Sequence, residues 1–142
     1  MKLEEIKKEA LKLMFTNQDN EIDGNTIKEL MSDDNYGDYL ANMDGCINRA
    51  IVRLKSKGVE FKGEWERLTP PSQEDIDIHN QKELPIDPEL SELIPYFIKG
   101  ELYEEDNPQQ ASIARNYFED TVDDYLSTKN QTAVEVVWRL DV

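Results

Sequence analysis

The run DNEIDGNTIKEL at 19–30 carries the residue types of a calcium loop. Asp19, Glu21, Asp23 and Gly24 occupy the first, third, fifth and sixth positions. A Ca²⁺ loop gathers carboxylate oxygens at alternate residues, turns at the glycine and closes on a bidentate glutamate at the twelfth position. Here the twelfth residue is Leu30, Glu29 comes one residue early, and the apolar eighth position is Thr26. A polar connection between two helices is the simpler account, with a degenerate calcium-binding helical protein kept as an alternative. In DIDIHN, Asp75, Asp77 and His79 alternate, so an extended chain would aim them to one side as a weak metal site; a solvated loop is the plainer reading. His79 and Cys46 are the single histidine and the single cysteine, and a nucleophile–base pair would have to join those two. Cys46 falls beside an apolar helical stripe, which suits a small buried hydrophobe. No Gly-rich phosphate loop appears. Carboxylate pairs abound, but 31 Asp and Glu in one chain single out no acid–base couple. The expectation is a chain that is not an enzyme and holds no cofactor or metal.

Charge narrows the classes further. The 142 residues carry 16 Lys+Arg against 31 Asp+Glu, a net charge of −15. Residues 1–58 hold 9 basic and 11 acidic side chains, and residues 59–142 hold 7 and 20, so the excess acid belongs to the second part. Such a chain repels nucleic-acid phosphates and anionic membrane, because binding either requires cations that displace counterions. The acid reads as a solvated face, or as a surface that avoids nucleic acid or meets a basic partner. No stretch approaches the roughly 20 apolar residues of a membrane span. The opening MKLEEIKKEALKLMF has Glu4 and Glu5 and no uninterrupted apolar run, unlike a signal peptide. One cysteine allows no internal disulfide and no Cys-rich zinc site, which suits a reducing cytoplasm.

The elements that must position these residues are mainly helical, within a single domain over 1–142. Leu3, Ile6, Ala10, Leu13 and Met14 recur at helical spacing over 2–15. Thr26 and Glu29 form a capping-box pair for a short helix over 26–32. A third helix over 37–57 aligns Leu40, Met43, Ile47, Ala50, Ile51 and Leu54, with Gly58 as its C′ residue and Gly45 as a candidate for close helix–helix approach. Residues 59–84 lose helical periodicity; Val59, Phe61 and Trp65 hint at one short strand, and Ile76, Ile78 and Leu84 are candidates to touch the core. A helical hairpin over 87–126 begins with Asp87 as N-cap and Pro88 at N1, kinks at Pro95, and restarts at Asn107–Pro108. Its second helix buries Ala111, Ala114, Tyr117, Phe118, Val122 and Tyr125. Glu119, Asp120, Asp123 and Asp124 then crowd the end where the helix dipole prefers cations. The expected architecture is a small bundle of about five helices.

The tail TAVEVVWRLDV reads as a C-terminal β-strand over 132–140. A lone strand leaves its backbone unpaired, so it must join the segment near 59–65 or another chain. Val134, Val136, Val137 and Trp138 are therefore the interface candidates, with Trp65 as a further one.

The run ELPIDPELSELIPYFIKGELYEEDNPQQASIARNYFEDTVDDY at 83–125 resembles a helix pair of small structural proteins of tailed bacteriophages. The resemblance is carried by Leu84, Leu90, Leu93, Ile94, Pro95, Tyr96, Leu102, Tyr103, Glu105, Asp106, Pro108, Ala111, Arg115, Asn116, Phe118 and Glu119. ALKLMFTNQD (10–19) and DYLANMDGCINRAIVRL (38–54) resemble the N-terminal helices of the same proteins. The resemblance implies a head–tail connector, an adaptor or head-completion subunit of the virion assembled in the host bacterial cytoplasm. Such a subunit self-associates into a ring, docks on the portal, receives tail or stopper proteins and lets DNA pass without binding it. Relatives of that kind often carry a longer β-containing insert between the helical halves than the roughly 25 residues found here. Acid in the second part would suit a channel wall. The competing class is an acidic DNA-mimic or other protein-binding inhibitor module, which would display evenly spaced carboxylates on one face.

Overall fold

The first helix, α1 (Leu3–Met14), owes its start to a distant segment. Helix N-termini leave backbone N–H groups without partners. Here Leu3 N donates to Lys82 O at 2.9 Å and Glu4 N to Asn80 O at 2.9 Å, while Leu84 N returns a bond to Met1 O at 3.2 Å. Residues 80–84 thus cap the helix alongside Glu5, whose Oε1 accepts from Lys2 N at 3.3 Å. The computed structural model describes the backbone of residues 1–140 and the side chains of residues 1–129.

Two short helices follow, α2 (Asp19–Asp23) and α3 (Ile27–Met31), then the long α4 (Gly37–Ser56). The capping box opens α3 as expected: Glu29 N donates to Thr26 Oγ1, and Thr26 N to Glu29 Oε1. Gly58 takes φ +92° after α4, the left-handed conformation that glycine reaches at least cost. A 3₁₀ turn (Gln73–Asp75) runs into α5 (Ile76–His79), inside the stretch expected to be irregular. Then come α6 (Pro88–Ser91), α7 (Ile94–Leu102) and α8 (Pro108–Leu140).

The predicted kink at Pro95 is a full break. Pro95 falls in the first turn of α7 and a tight turn at Glu92–Leu93 separates it from α6. Proline supplies no N–H and crowds the preceding turn, so ending one helix and starting another costs less than bending one. The close approach foreseen at Gly45 occurs instead at Gly100. A Cβ at Gly100 would stand 3.4 Å from Ala111 O and from Arg115 Cβ, across the α7–α8 contact; one at Gly45 would meet only the Arg49 guanidinium.

One apolar core joins these elements. Leu3, Ile6, Ala10 and Leu11 of α1 pack with Met43, Ile47, Ala50 and Leu54 of α4, Ile94 and Ile98 of α7, and Phe118 and Val122 of α8. Leu11 takes the buried place foreseen for Leu13, and Ile78 turns outward at 73% exposure. Aromatic edges close one end of the core, with Phe15 lying 4.9 Å from Tyr36 and 5.5 Å from Tyr39. The architecture is the small helical bundle expected, including the hairpin of α7 on α8.

The strand expected over 132–140 is a correction: α8 continues through Leu140. A helix satisfies its own backbone, whereas a strand needs a partner, and the partner foreseen near 59–65 forms none. Lys62 N bonds to Pro85 O at 2.7 Å instead. Among the described residues the only bridge is the isolated antiparallel pair Lys2–Glu83. The continuation also removes the dipole conflict, since Glu119 to Asp124 now lie in the middle of a 33-residue helix. The side chains of Val134, Val136, Val137 and Trp138 lie outside the described residues. Trp65 is half-buried and packs against the core, with an indole Nε1 that is buried and finds no hydrogen-bond partner among the described residues.

Candidate interaction surface

The sequence-level metal candidates are dispersed by the fold. Asp19, Glu21 and Asp23 lie within helix α2 and do not form a calcium loop. Asp23 is taken by Lys12 at 2.7 Å, Glu29 caps its own helix, and Leu30 is in the core. Asp75 caps back to Ser72, and His79 turns inward. Among the described residues no three His, Cys, Asp or Glu side chains gather as a metal would require. Burial and the neighbouring Glu101 carboxylate push the Cys46 thiol up to about 12, so it is held protonated and does not act as a thiolate nucleophile.

His79 belongs instead to a buried polar cluster on one face of α4. Asp44 Oδ1 lies 2.9 Å from Lys7 Nζ, and Asp44 Oδ2 lies 3.0 Å from His79 Nε2. A carboxylate only accepts, so the ring nitrogen facing it carries the proton. Lys7 Nζ also donates to Asn80 Oδ1 at 2.6 Å, and Asn80 Nδ2 donates to Ile76 O at 2.7 Å. Lys7 is 3% exposed, and burial lowers its pKa although Asp44 opposes the change. The cluster ties α1, α4, α5 and the 80–84 cap together. One turn further along α4, Asn48 pairs with both the N–H and the carbonyl of Leu68, at 2.8 and 2.9 Å, and so pins the irregular segment.

The other face of α4 carries cations at i, i+4 and i+8: Arg49, Arg53 and Lys57. They reach across to the acidic part of the chain. Arg49 Nη2 meets Glu101 Oε2 at 2.6 Å. Arg53 grips Glu119 with two bonds of 2.8 and 2.9 Å. Lys57 Nζ lies 2.6 Å from both Glu119 and Asp123. The Arg53 bonds, with help from Lys57, hold the Glu119 carboxyl below its ordinary value. A second junction centres on Asp87, whose side chain does not cap α6. It receives Lys62 at 2.8 Å, the Tyr125 hydroxyl and, at 3.6 Å, Lys129. Lys62 and Tyr125 together bring its carboxyl down to about 2.

These contacts leave a trough over the α6–α8 side of the molecule. A hollow of about 1100 Å³ lies between the turn at 58–60, α6 and α8. A second of about 500 Å³ lies between α1, α7 and α8. Both are lined by Glu92, Leu93 and Tyr117, so they meet there. Tyr117, expected in the core, is 47% exposed and stacks at a tilt on Tyr96, with ring centroids 4.4 Å apart. Its position one residue before the buried Phe118 already marks it as the outward member of that pair. No helix among the described residues is long and apolar enough to cross a membrane. Set beside known proteins, the chain matches no family model, no curated protein and no solved structure.

Proposed function

We propose that the chain is a structural assembly protein of the virion, a head–tail connector subunit. In this reading it joins a ring around the DNA channel, docks on the portal, and receives tail or stopper proteins. The observation that carries it is the coincidence of the phage-like run with one structural unit. Residues 83–125 correspond to α6, α7 and the first half of α8, and the residues of the pattern divide by place. Leu90, Ile94, Ala111 and Phe118 are buried, whereas Glu105 and Asp106 stand exposed in the turn between α7 and α8. The same run therefore supplies a rigid hairpin and an acidic outer surface past which DNA would slide without adhering.

A DNA mimic is the weaker reading, because Glu101, Glu119 and Asp123 are already occupied by the cations of α4 and do not present a free row of carboxylates. Electron microscopy of the protein mixed with its portal tests the proposal. A ring of this chain stacked on the portal is the expected image. Absence of any complex, with tight salt-sensitive binding to a nucleic-acid-binding enzyme instead, would transfer the protein to the mimic class.

A further inference from the structure

The trough that crosses Tyr117 combines an apolar floor with a rim of carboxylates that have no partner among the described residues. Its larger hollow is floored by Val59, Leu93, Tyr125 and Leu126. Glu60, Glu89, Glu92 and Asp124 stand around it, and none makes an ion pair or side-chain hydrogen bond with any described residue. This is the reverse of the α4 side, where Glu101, Glu119 and Asp123 are all neutralised. The one lysine lining the larger hollow, Lys129, has its ammonium turned to Asp87 and Tyr125. Unpaired carboxylates beside low-dielectric walls concentrate a negative potential in the groove.

We propose that this trough docks a cationic peptide segment of a partner protein. Arginine or lysine side chains of that segment meet Glu89, Glu92 and Asp124. An apolar side chain seats against Tyr125 and Leu126, and the exposed ring of Tyr117 offers a face on which a guanidinium stacks. Charge selects this occupant. A second copy would have to bring a free cationic face to this particular groove, and its α4 cations Arg49, Arg53 and Lys57 are already paired with its own acids; nucleic acid and anionic lipid are repelled. A lone metal ion is a poor fit for an apolar floor. The size also fits: about 1100 Å³ in the larger hollow alone exceeds the usual small-molecule site and is continuous with a further 500 Å³. The groove stands on its own residues and holds whether or not the chain is a virion protein.

The test is fluorescence anisotropy of the full chain with a labelled helical peptide of about 14 residues bearing about four arginines and a leucine stripe. Wild-type binding should weaken steeply with salt. The combined variant Glu89→Gln, Glu92→Gln, Asp124→Asn should lose at least about tenfold in affinity. The charge-matched control Glu105→Gln, Asp106→Asn, Asp120→Asn should lose less than about twofold, since its sites lie off the groove and act only through screened distance. Tyr117→Ala should lose roughly fivefold even at high salt, where the stacking and apolar contacts remain. Circular dichroism confirms that each variant, altered only at exposed positions, keeps its helix content. Equal loss in the two triple variants would overturn the groove in favour of diffuse attraction. Absence of wild-type binding would overturn it outright. Displacement of the probe by a peptide of residues 130–142 would assign the groove to the chain's own tail, and self-association abolished by the groove variant would assign it to a second copy; either result removes the partner.

Discussion

The two sides of α4 carry ion pairs of similar length and opposite consequence. On one side Lys7, Asp44 and His79 are almost entirely withdrawn from water; on the other Arg49, Arg53 and Asp123 stand largely exposed, and Lys57, Glu101 and Glu119 are only partly covered. Burial lowers the pKa of Lys7 even with Asp44 2.9 Å away. Lys57 also suffers desolvation, but its hydrogen bonds to Asp123 and Glu119 outweigh it and its pKa is raised. A short distance therefore says little about worth. What decides is whether the solvation each charge gives up exceeds the attraction it gains.

Breaking the buried side should have the largest effect. Asp44→Ala leaves an ammonium in the interior without its counter-charge and should cost about 3–5 kcal/mol. A lower urea midpoint at unchanged slope measures it. A loss below about 1 kcal/mol would mean that water enters the cluster and that the two sides of α4 are alike.

Asn48→Ala comes next, at about 1–3 kcal/mol, because it strands the N–H and carbonyl of Leu68 together. Faster proteolysis within 59–75 than elsewhere would accompany it, since that segment loses its pin.

The alkaline limb of stability separates the two lysines by sign. Lys7, with its folded pKa lowered, binds its proton less well folded than unfolded. Its contribution therefore makes stability rise with pH between the lowered value and the unfolded value of about 10.4. Lys57, with its folded pKa raised, contributes stability that is present below about 10.4 and is lost as pH climbs through the higher value. Denaturation midpoints from pH 8 to 11 should thus lose a rising component in Lys7→Met and a falling component in Lys57→Met. The same sign in both variants would refute the contrast.

Glu119→Gln should cost only about 1 kcal/mol, and most of that should vanish in 1 M salt, as expected of pairs that solvent still reaches through Arg53 even when one carboxylate serves two cations. On the acid side Asp87, brought down to about 2, contributes stability that is present above its unfolded value near 3.9 and fades as pH falls toward 2. Asp87→Asn should flatten that last part of the acid limb, which a pH titration followed by tyrosine fluorescence detects.

Most of the helices were legible because their signals are local. The Thr26–Glu29 capping box, Gly58 after α4 and Pro88 at the start of α6 involve residues within a turn of each other. Asn107 before α8 is of the same kind: its Oδ1 accepts from Gln110 N. The misses have a common cause. α5 and the 3₁₀ turn are too short to show a period, and α2 is five residues of polar sequence. The β-branched tail suggested a strand, yet propensity is weaker than the continuation of a helix already formed. His79 read as part of a solvated loop because its partner Asp44 lies 35 positions away, and Lys7, which shares that carboxylate, lies 72 away.

By itself the sequence determined a helical bundle, its main helix boundaries and an acidic second part, because caps, periods and charge are properties of neighbouring residues. The tertiary structure alone decided which acids are spent on Arg49, Arg53 and Lys57 and which line the trough beside Tyr117 without a partner among the described residues. It also decided that Lys7 is buried. Desolvation and pairing depend on what other segments bring to within a few ångströms, and no local pattern encodes that distance.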